Sequence, residues 1–203
     1  MTSRKPVQDQ LLDDARRIEE SLQPLPSPRS SAALVVVSGL PGSGKSYFCR
    51  RLASHHPLAR LDSDALRKAL FGQPTHSPEE SSRLFAACHC VLDRLLGSGI
   101  SALLDATSLR EVHRRQLYAI AERHGVKLVL VSLRAPAAVV EGRLAARARR
   151  ADPEDLSDAG PDVYERMRSL DEPIARPHIV VDTSADIEPA VQTVLRELEE
   201  SLQ

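Results

Sequence analysis

The run Leu34-Val35-Val36-Val37-Ser38-Gly39-Leu40-Pro41-Gly42-Ser43-Gly44-Lys45-Ser46 restricts what this chain can fold into more than any other stretch. An apolar, β-branched segment enters a loop with glycines at 39, 42 and 44, and the residues after Lys45-Ser46 have helical composition. That is the strand–loop–helix setting in which G-x-x-x-x-G-K-[ST] forms a phosphate-binding P-loop. Glycines let successive backbone N–H groups turn toward one point, and the positive end of the following helix adds to the cradle. On this pattern Gly39, Pro41, Gly42, Ser43, Gly44, Lys45, Ser46 and Tyr47 surround a nucleotide. Lys45 brings a point charge to the β- and γ-phosphates, and the Ser46 hydroxyl is placed to ligate Mg²⁺. The expected cofactors are therefore ATP and Mg²⁺.

A chain of 203 residues builds one sizeable core and is too short for two full α/β domains. Lysine plus arginine (27) balance aspartate plus glutamate (28), so no overall basic field announces a nucleic-acid partner. Cys49, Cys88 and Cys90 are an odd set without framework spacing, which points to a reducing, cytoplasmic setting. No apolar run approaches the ~20 residues of a membrane span, and no membrane is expected as a partner. Cys88-His89-Cys90 is not read as a metal site, because neighbours at i and i+2 on a helix point to different sides. With three Phe, three Tyr and no Trp, there is little material for base-stacking platforms.

Along the chain, Leu11, Leu12, Ala15, Ile18 and Leu22 mark an amphipathic helix over 7–23, followed by the proline-rich connector 24–31. Residues 1–31 are thus expected to be an addition to a 32–203 nucleotide-binding domain. The helix docks on the core, pairs with another chain, or packs on a partner. After the P-loop helix (44–54) a short strand over 58–61 leads to Asp62-Ser63-Asp64-Ala65-Leu66-Arg67, two acids and an arginine where open α/β sheets place their ligands. Ser63 or Asp64 could alternatively cap the next helix. A helix over 78–96 precedes the strand 100–105, whose terminal Asp105 has the Walker B position facing Mg²⁺ or its waters. A basic helix (111–124) with Arg114 and Arg115, a strand (126–133) and a helix carrying Arg143 and Arg147 follow. Arginines beside a phosphate site match phosphate oxygens with their forked donors, and a lid near 143–162 is expected. A short helix (163–170), a strand (178–182) and a terminal helix (189–202) complete the chain. Five apolar strands alternating with helices make a three-layer α/β fold, a five-stranded parallel sheet with helices on both faces.

Gly39–Ser46, Asp62–Arg67, Asp105-Ala106-Thr107-Ser108-Leu109 and the Arg143/Arg147 pair resemble the kinase domains of polynucleotide 5′-hydroxyl kinases and their small bacterial P-loop relatives, AAA-type and zeta-toxin-like. The resemblance spans about 34–182. It implies that Asp64 acts on the acceptor hydroxyl, that Arg67 contacts substrate, and that Arg143 and Arg147 hold the ATP phosphates, with Lys45 completing the catalytic set. It further implies a kinase transferring the γ-phosphate to a polynucleotide 5′-OH, or alternatively to a small sugar, antibiotic or nucleotide-sugar acceptor. From another class, a nucleotide-dependent ATPase or switch is the further alternative, although the D-x-x-G and N-K-x-D signatures of GTPase switches are absent from the sequence.

Overall fold

The central strand β1 (Ala33–Ser38) is buried along its whole length, as its unbroken apolar run requires of a strand covered on both faces. Parallel β3 (Ala102–Asp105) lies on one side and parallel β4 (Lys127–Arg134) on the other. With β2 (Ala59–Asp62) and β5 (Ile179–Asp182) at the edges, the five-stranded sheet has the order β2-β3-β1-β4-β5. The computed structural model describes residues 4–149 and 159–200.

Alternate residues of β1 feed two cores. Leu34 and Val36 pack with α3 (Ser63–Phe71), α4 (Pro78–Gly97) and α5 (Glu111–His124). Val35 and Val37 pack with α2 (Lys45–Ala53) and α8 (Glu188–Glu199). The expected three-layer α/β architecture is the observed one. Over α6 (Ala137–Arg149) and α7 (Pro161–Arg168), Val140, Leu144 and Tyr164 form a small third cluster with Leu40 of the P-loop. Most of the expected lid beyond Arg149 lies outside the described residues. Among the described residues no helix is long and apolar enough to cross a membrane.

The N-terminal helix α1 (Arg4–Ser21) docks on the first of these cores. Ala15 and Ile18 are fully buried there, and Asp14 is fully buried too. A buried carboxylate is tolerable only when paired, and Arg83 of α4 grips Asp14 with its Nε and, at 2.8 Å, with Nη2. Arg17 donates to Ala69 O at 2.9 Å, and Arg94 pairs with Glu19 at 3.2 Å. The helix thereby braces α3 and α4 from outside. If this packing carries stability, Ile18→Ala should lower the unfolding free energy by about 3 kcal/mol in urea titration. A loss below about 1 kcal/mol would mean that α1 is a dispensable appendage.

Candidate active site

The P-loop is shaped from both sides. Gly39 N donates to Thr107 O at 3.2 Å and Ser38 Oγ to the same carbonyl at 2.9 Å, which ties the end of β1 to the segment after β3. Gly42 has φ +75°, and a Cβ there would stand 2.9 Å from Val140 Cγ1, so α6 lies directly against the loop. Lys45 Nζ donates to Leu40 O at 3.0 Å. Burial lowers the pKa of this ammonium, while Asp105 and then Asp64 pull it back up. Ser43 Oγ is buried without a hydrogen-bond partner among the described residues, an unspent group inside a loop built for an anion.

The acids arrive on adjacent strands. Register pairs Asp62 with Asp105, so two carboxylates end β2 and β3 side by side. Arg60 bridges them, its Nη2 donating to Asp62 Oδ2 at 2.6 Å and to Asp105 Oδ2 at 2.7 Å. Burial alone would pull the Arg60 pKa down, but Asp105 and Asp62 outweigh it and hold it up. Asp62 is raised above the usual carboxylate range by burial and by Asp105, with Arg60 opposing. Asp62 also caps α3, accepting from Asp64 N at 3.1 Å and Ala65 N at 3.2 Å. The cap is thus neither Ser63 nor Asp64, the alternative role considered for them, and the half-buried Asp64 carboxylate stands outside it.

The expected arginines separate. Arg147 lies near enough to Lys45 to depress its pKa. Arg143 instead holds the scaffold: Nη1 donates to Thr183 Oγ1 at 2.9 Å and Gly42 O at 3.3 Å, and Nη2 to Thr183 O at 2.6 Å. Thr183 Oγ1 in turn donates to Ser43 O at 2.8 Å. Arg67 is 7% exposed, its Nη2 donating to Ser81 Oγ at 3.2 Å and its Nη1 pairing with Glu80 at 3.7 Å without a hydrogen bond among the described residues. Arg114 of the basic helix is not on the surface. Fully buried, it donates to Ser108 O, Leu109 O, Glu172 O and Pro173 O, all within 2.7–2.8 Å, and pairs with Glu111.

Two cavities flank this loop. One of about 430 Å³ touches Gly42, Gly44, Tyr47, Arg143, Arg147 and Thr183. The other, of about 350 Å³, touches Gly39, Leu40 and the ends of β1 and β4. Cys88 is buried, its thiol pushed up to about 12 by that burial, and among the described residues no group of three His, Cys, Asp or Glu could hold a metal ion.

Mg²⁺ fits the residues present. The ion is ordinarily held by one or two side chains plus phosphate oxygens and water, not by an all-protein cage. Ser46 lies in the first turn of α2 on the P-loop, and Asp105 supplies a carboxylate near Lys45. Arg60 and Thr183 were not singled out as functional by sequence reasoning. For Arg60 the signal was its i, i+2 spacing from Asp62, which puts both on one strand face. Thr183 carried no local signal.

A family model described as an AAA domain matches residues 34–174. No curated protein matches the chain in sequence. Among solved structures it is similar to Chaetomium thermophilum Kti12 in complex with ADP-AlF3 (TM-score 0.66, 20% identity, 84% of this chain and 99% of that one). A sugar kinase from Janibacter sp. HTCC2649 gives a TM-score of 0.63 at 18% identity, over 85% and 96% of the two chains. The Mycobacterium tuberculosis APS kinase CysC with AMPPNP and APS gives 0.57 at 22% identity, over 85% and 99%. At these identities the likeness establishes the fold.

Because its folded-state pKa is depressed, Lys45 costs stability at every pH below that value, and the cost fades as pH rises through it toward the unfolded value. Lys45→Met should therefore raise the thermal midpoint at pH 7 by about 2–4 °C for each kcal/mol relieved while losing nucleotide affinity. A lowered midpoint would contradict that placement of the ammonium.

Proposed function

Because the chain belongs to the AAA-domain family whose model covers its P-loop and both strand-end acids, we propose that it is an ATP- and Mg²⁺-dependent phosphotransferase acting on a hydroxyl acceptor. One observation carries the reading: Lys45, seated on Leu40 O, lies within electrostatic reach of Asp105, Asp64 and Arg147 together. A charge cluster of this kind serves a reaction that needs positioning and neutralisation more than covalent chemistry. Fold neighbours holding ADP-AlF3 and AMPPNP are compatible with ATP as the donor.

In the proposed reaction the acceptor oxygen attacks the γ-phosphorus, the bond from that phosphorus to the β–γ bridging oxygen breaks, and ADP leaves with the electron pair. The acceptor proton passes to Asp64, whose carboxylate the Asp62 cap leaves available. Lys45 offsets charge on the β- and γ-oxygens, with Arg147 beside it. Arg143 acts here on the scaffold, locking Gly42 and, through Thr183, Ser43. Mg²⁺, held by Ser46 with Asp105 nearby, would supply further neutralisation of phosphate charge. Arg67, the residue that the family resemblance places on substrate, is held on α3 by Ser81 and Glu80.

The acceptor implied by the family resemblance is a polynucleotide 5′-OH, with a small metabolite as the other class. The first of these classes calls for basic side chains on the acceptor side, where the sequence offers Arg110, Arg114 and Arg115 at the start of the helix after Asp105. Arg114 is spent on four carbonyls inside the protein, and Arg110 lies 3.8 Å from Glu172. A small hydroxyl acceptor gains from this. A water-hydrolysing ATPase has no comparable use for Asp64 and Arg67.

Asp64→Asn should bind ATP as the parent does and transfer phosphate roughly a hundred-fold more slowly, measured by equilibrium binding and single-turnover kinetics. Intact turnover in that variant would move the base elsewhere.

A further inference from the structure

Arg60 stands on β2 two residues before Asp62 and on the same face of the strand, and register sets Asp62 level with Asp105 of β3. Its hold on the two acids is made through one nitrogen. Nη2 donates to Asp62 Oδ2 at 2.6 Å and to Asp105 Oδ2 at 2.7 Å, while Nε is buried without a hydrogen-bond partner among the described residues. A guanidinium that locks a single carboxylate does so through two parallel N–H···O bonds. Arg60 instead divides one nitrogen between two acids and leaves a second donor unspent inside the protein, a weaker grip on each than a fork would give.

The two acids are not tied equally. Asp62 has both oxygens engaged, Oδ2 on Arg60 and Oδ1 on the amides of Asp64 and Ala65 that open α3. Asp105 is 3% exposed, has Oδ2 on Arg60, and its charge is felt by Lys45 and Cys49 of α2. Arg60 can therefore give up Asp105 and stay in the site on Asp62. Charge shows what the Asp105 contact does. In the free protein Lys45, Arg60 and Arg147 stand against Asp62, Asp64 and Asp105, three cations balancing three carboxylates. A divalent ion arriving alone meets a neutral site whose metal-side carboxylate already carries a cation. A nucleotide changes that balance, because its polyphosphate brings negative charge to Lys45 and the loop.

Resting on the phosphotransferase reading, we infer that Arg60 is an internal stand-in cation: it occupies Asp105 in the nucleotide-free protein and makes the binding of a divalent ion conditional on nucleotide. Asp62 is the anchor that keeps the guanidinium in the site once Asp105 is given up. A purely structural bridge between two acids would leave that order of binding untouched.

The test uses the full chain with Mn²⁺ as the probe ion and AMP-PNP as the probe nucleotide, in the parent, Arg60→Met, Arg60→Lys and Asp62→Asn. Binding of Mn²⁺ alone is read from the loss of its free-ion EPR signal, AMP-PNP is titrated by calorimetry with and without Mn²⁺, and circular dichroism checks the fold. Among the described residues no group of three His, Cys, Asp or Glu could hold a metal, so the parent should bind Mn²⁺ alone only weakly. Arg60→Met leaves the two carboxylates without their cation and should tighten Mn²⁺ alone by at least roughly tenfold. Arg60→Lys keeps a cation and should stay close to the parent. Asp62→Asn retains a capping side chain, leaves the guanidinium to Asp105, and should cut the gain in AMP-PNP affinity that Mn²⁺ provides by roughly threefold or more. A folded Arg60→Met that binds Mn²⁺ alone no better than the parent would overturn the inference, as would an Arg60→Lys that binds it as tightly as Arg60→Met. If Arg60→Met does not fold, an unchanged Mn²⁺ gain in Asp62→Asn overturns the inference and a reduced one supports it. Failure of AMP-PNP to bind the parent would sink the phosphotransferase, and the comparison of Mn²⁺ alone in parent and Arg60→Met would still decide the role of Arg60.

Discussion

The site depends on one costly placement, the Lys45 ammonium held among packed atoms on the carbonyl of its own loop. Burial disfavours that charge, and the surrounding architecture compensates for it. Asp105 and Asp64 are carried to it by β3 and by the start of α3, and the loop that positions it is fastened by Thr107 on one side and by Arg143 with Thr183 on the other. An ATP polyphosphate would complete the compensation, which is how an energetic debt in the free protein becomes affinity for an anion.

Charge balance then explains Arg60. Parallel register brings Asp62 and Asp105 level on neighbouring strands, a like-charge juxtaposition close to a site meant for phosphates. The guanidinium between them neutralises the pair, fixes the orientation of Asp105 and frees Asp62 to cap α3. On the far side α1 braces α3 and α4, so the helices that carry Asp64 and face Arg67 are held by a buried ion pair as well as by apolar packing.

Local patterns made much of this legible. The β-branched run at 34–37, the glycine spacing and the acids at strand ends follow from what a buried parallel strand and an anion cradle require, and the sheet, its layers and the meeting of Lys45 with Asp64, Asp105 and Arg147 came out as the residues implied. Arg114 reads as a basic residue available to an acceptor, yet four carbonyls, two nearby at 108–109 and two distant at 172–173, satisfy it inside. Arg143 reads as a phosphate clamp but spends its donors on Gly42 and Thr183, the latter forty residues away. Asp62, and not the alternative at Ser63 or Asp64, caps α3 because the turn begins one residue earlier. For Arg114 and Arg143 the partners include groups remote in sequence, to which residue type gives no pointer, whereas the Asp62 cap is local turn geometry.

The central claim is that the phosphoryl group goes to a carbon-bound hydroxyl and not to water. Phosphorus NMR of the full chain with Mg·ATP and a mixture of sugars, cyclitols and a 5′-OH oligonucleotide reads that directly. The account predicts a new phosphomonoester signal growing in step with ADP, and absent without acceptor. Inorganic phosphate appearing in step with ADP, at a rate indifferent to every acceptor, would contradict it.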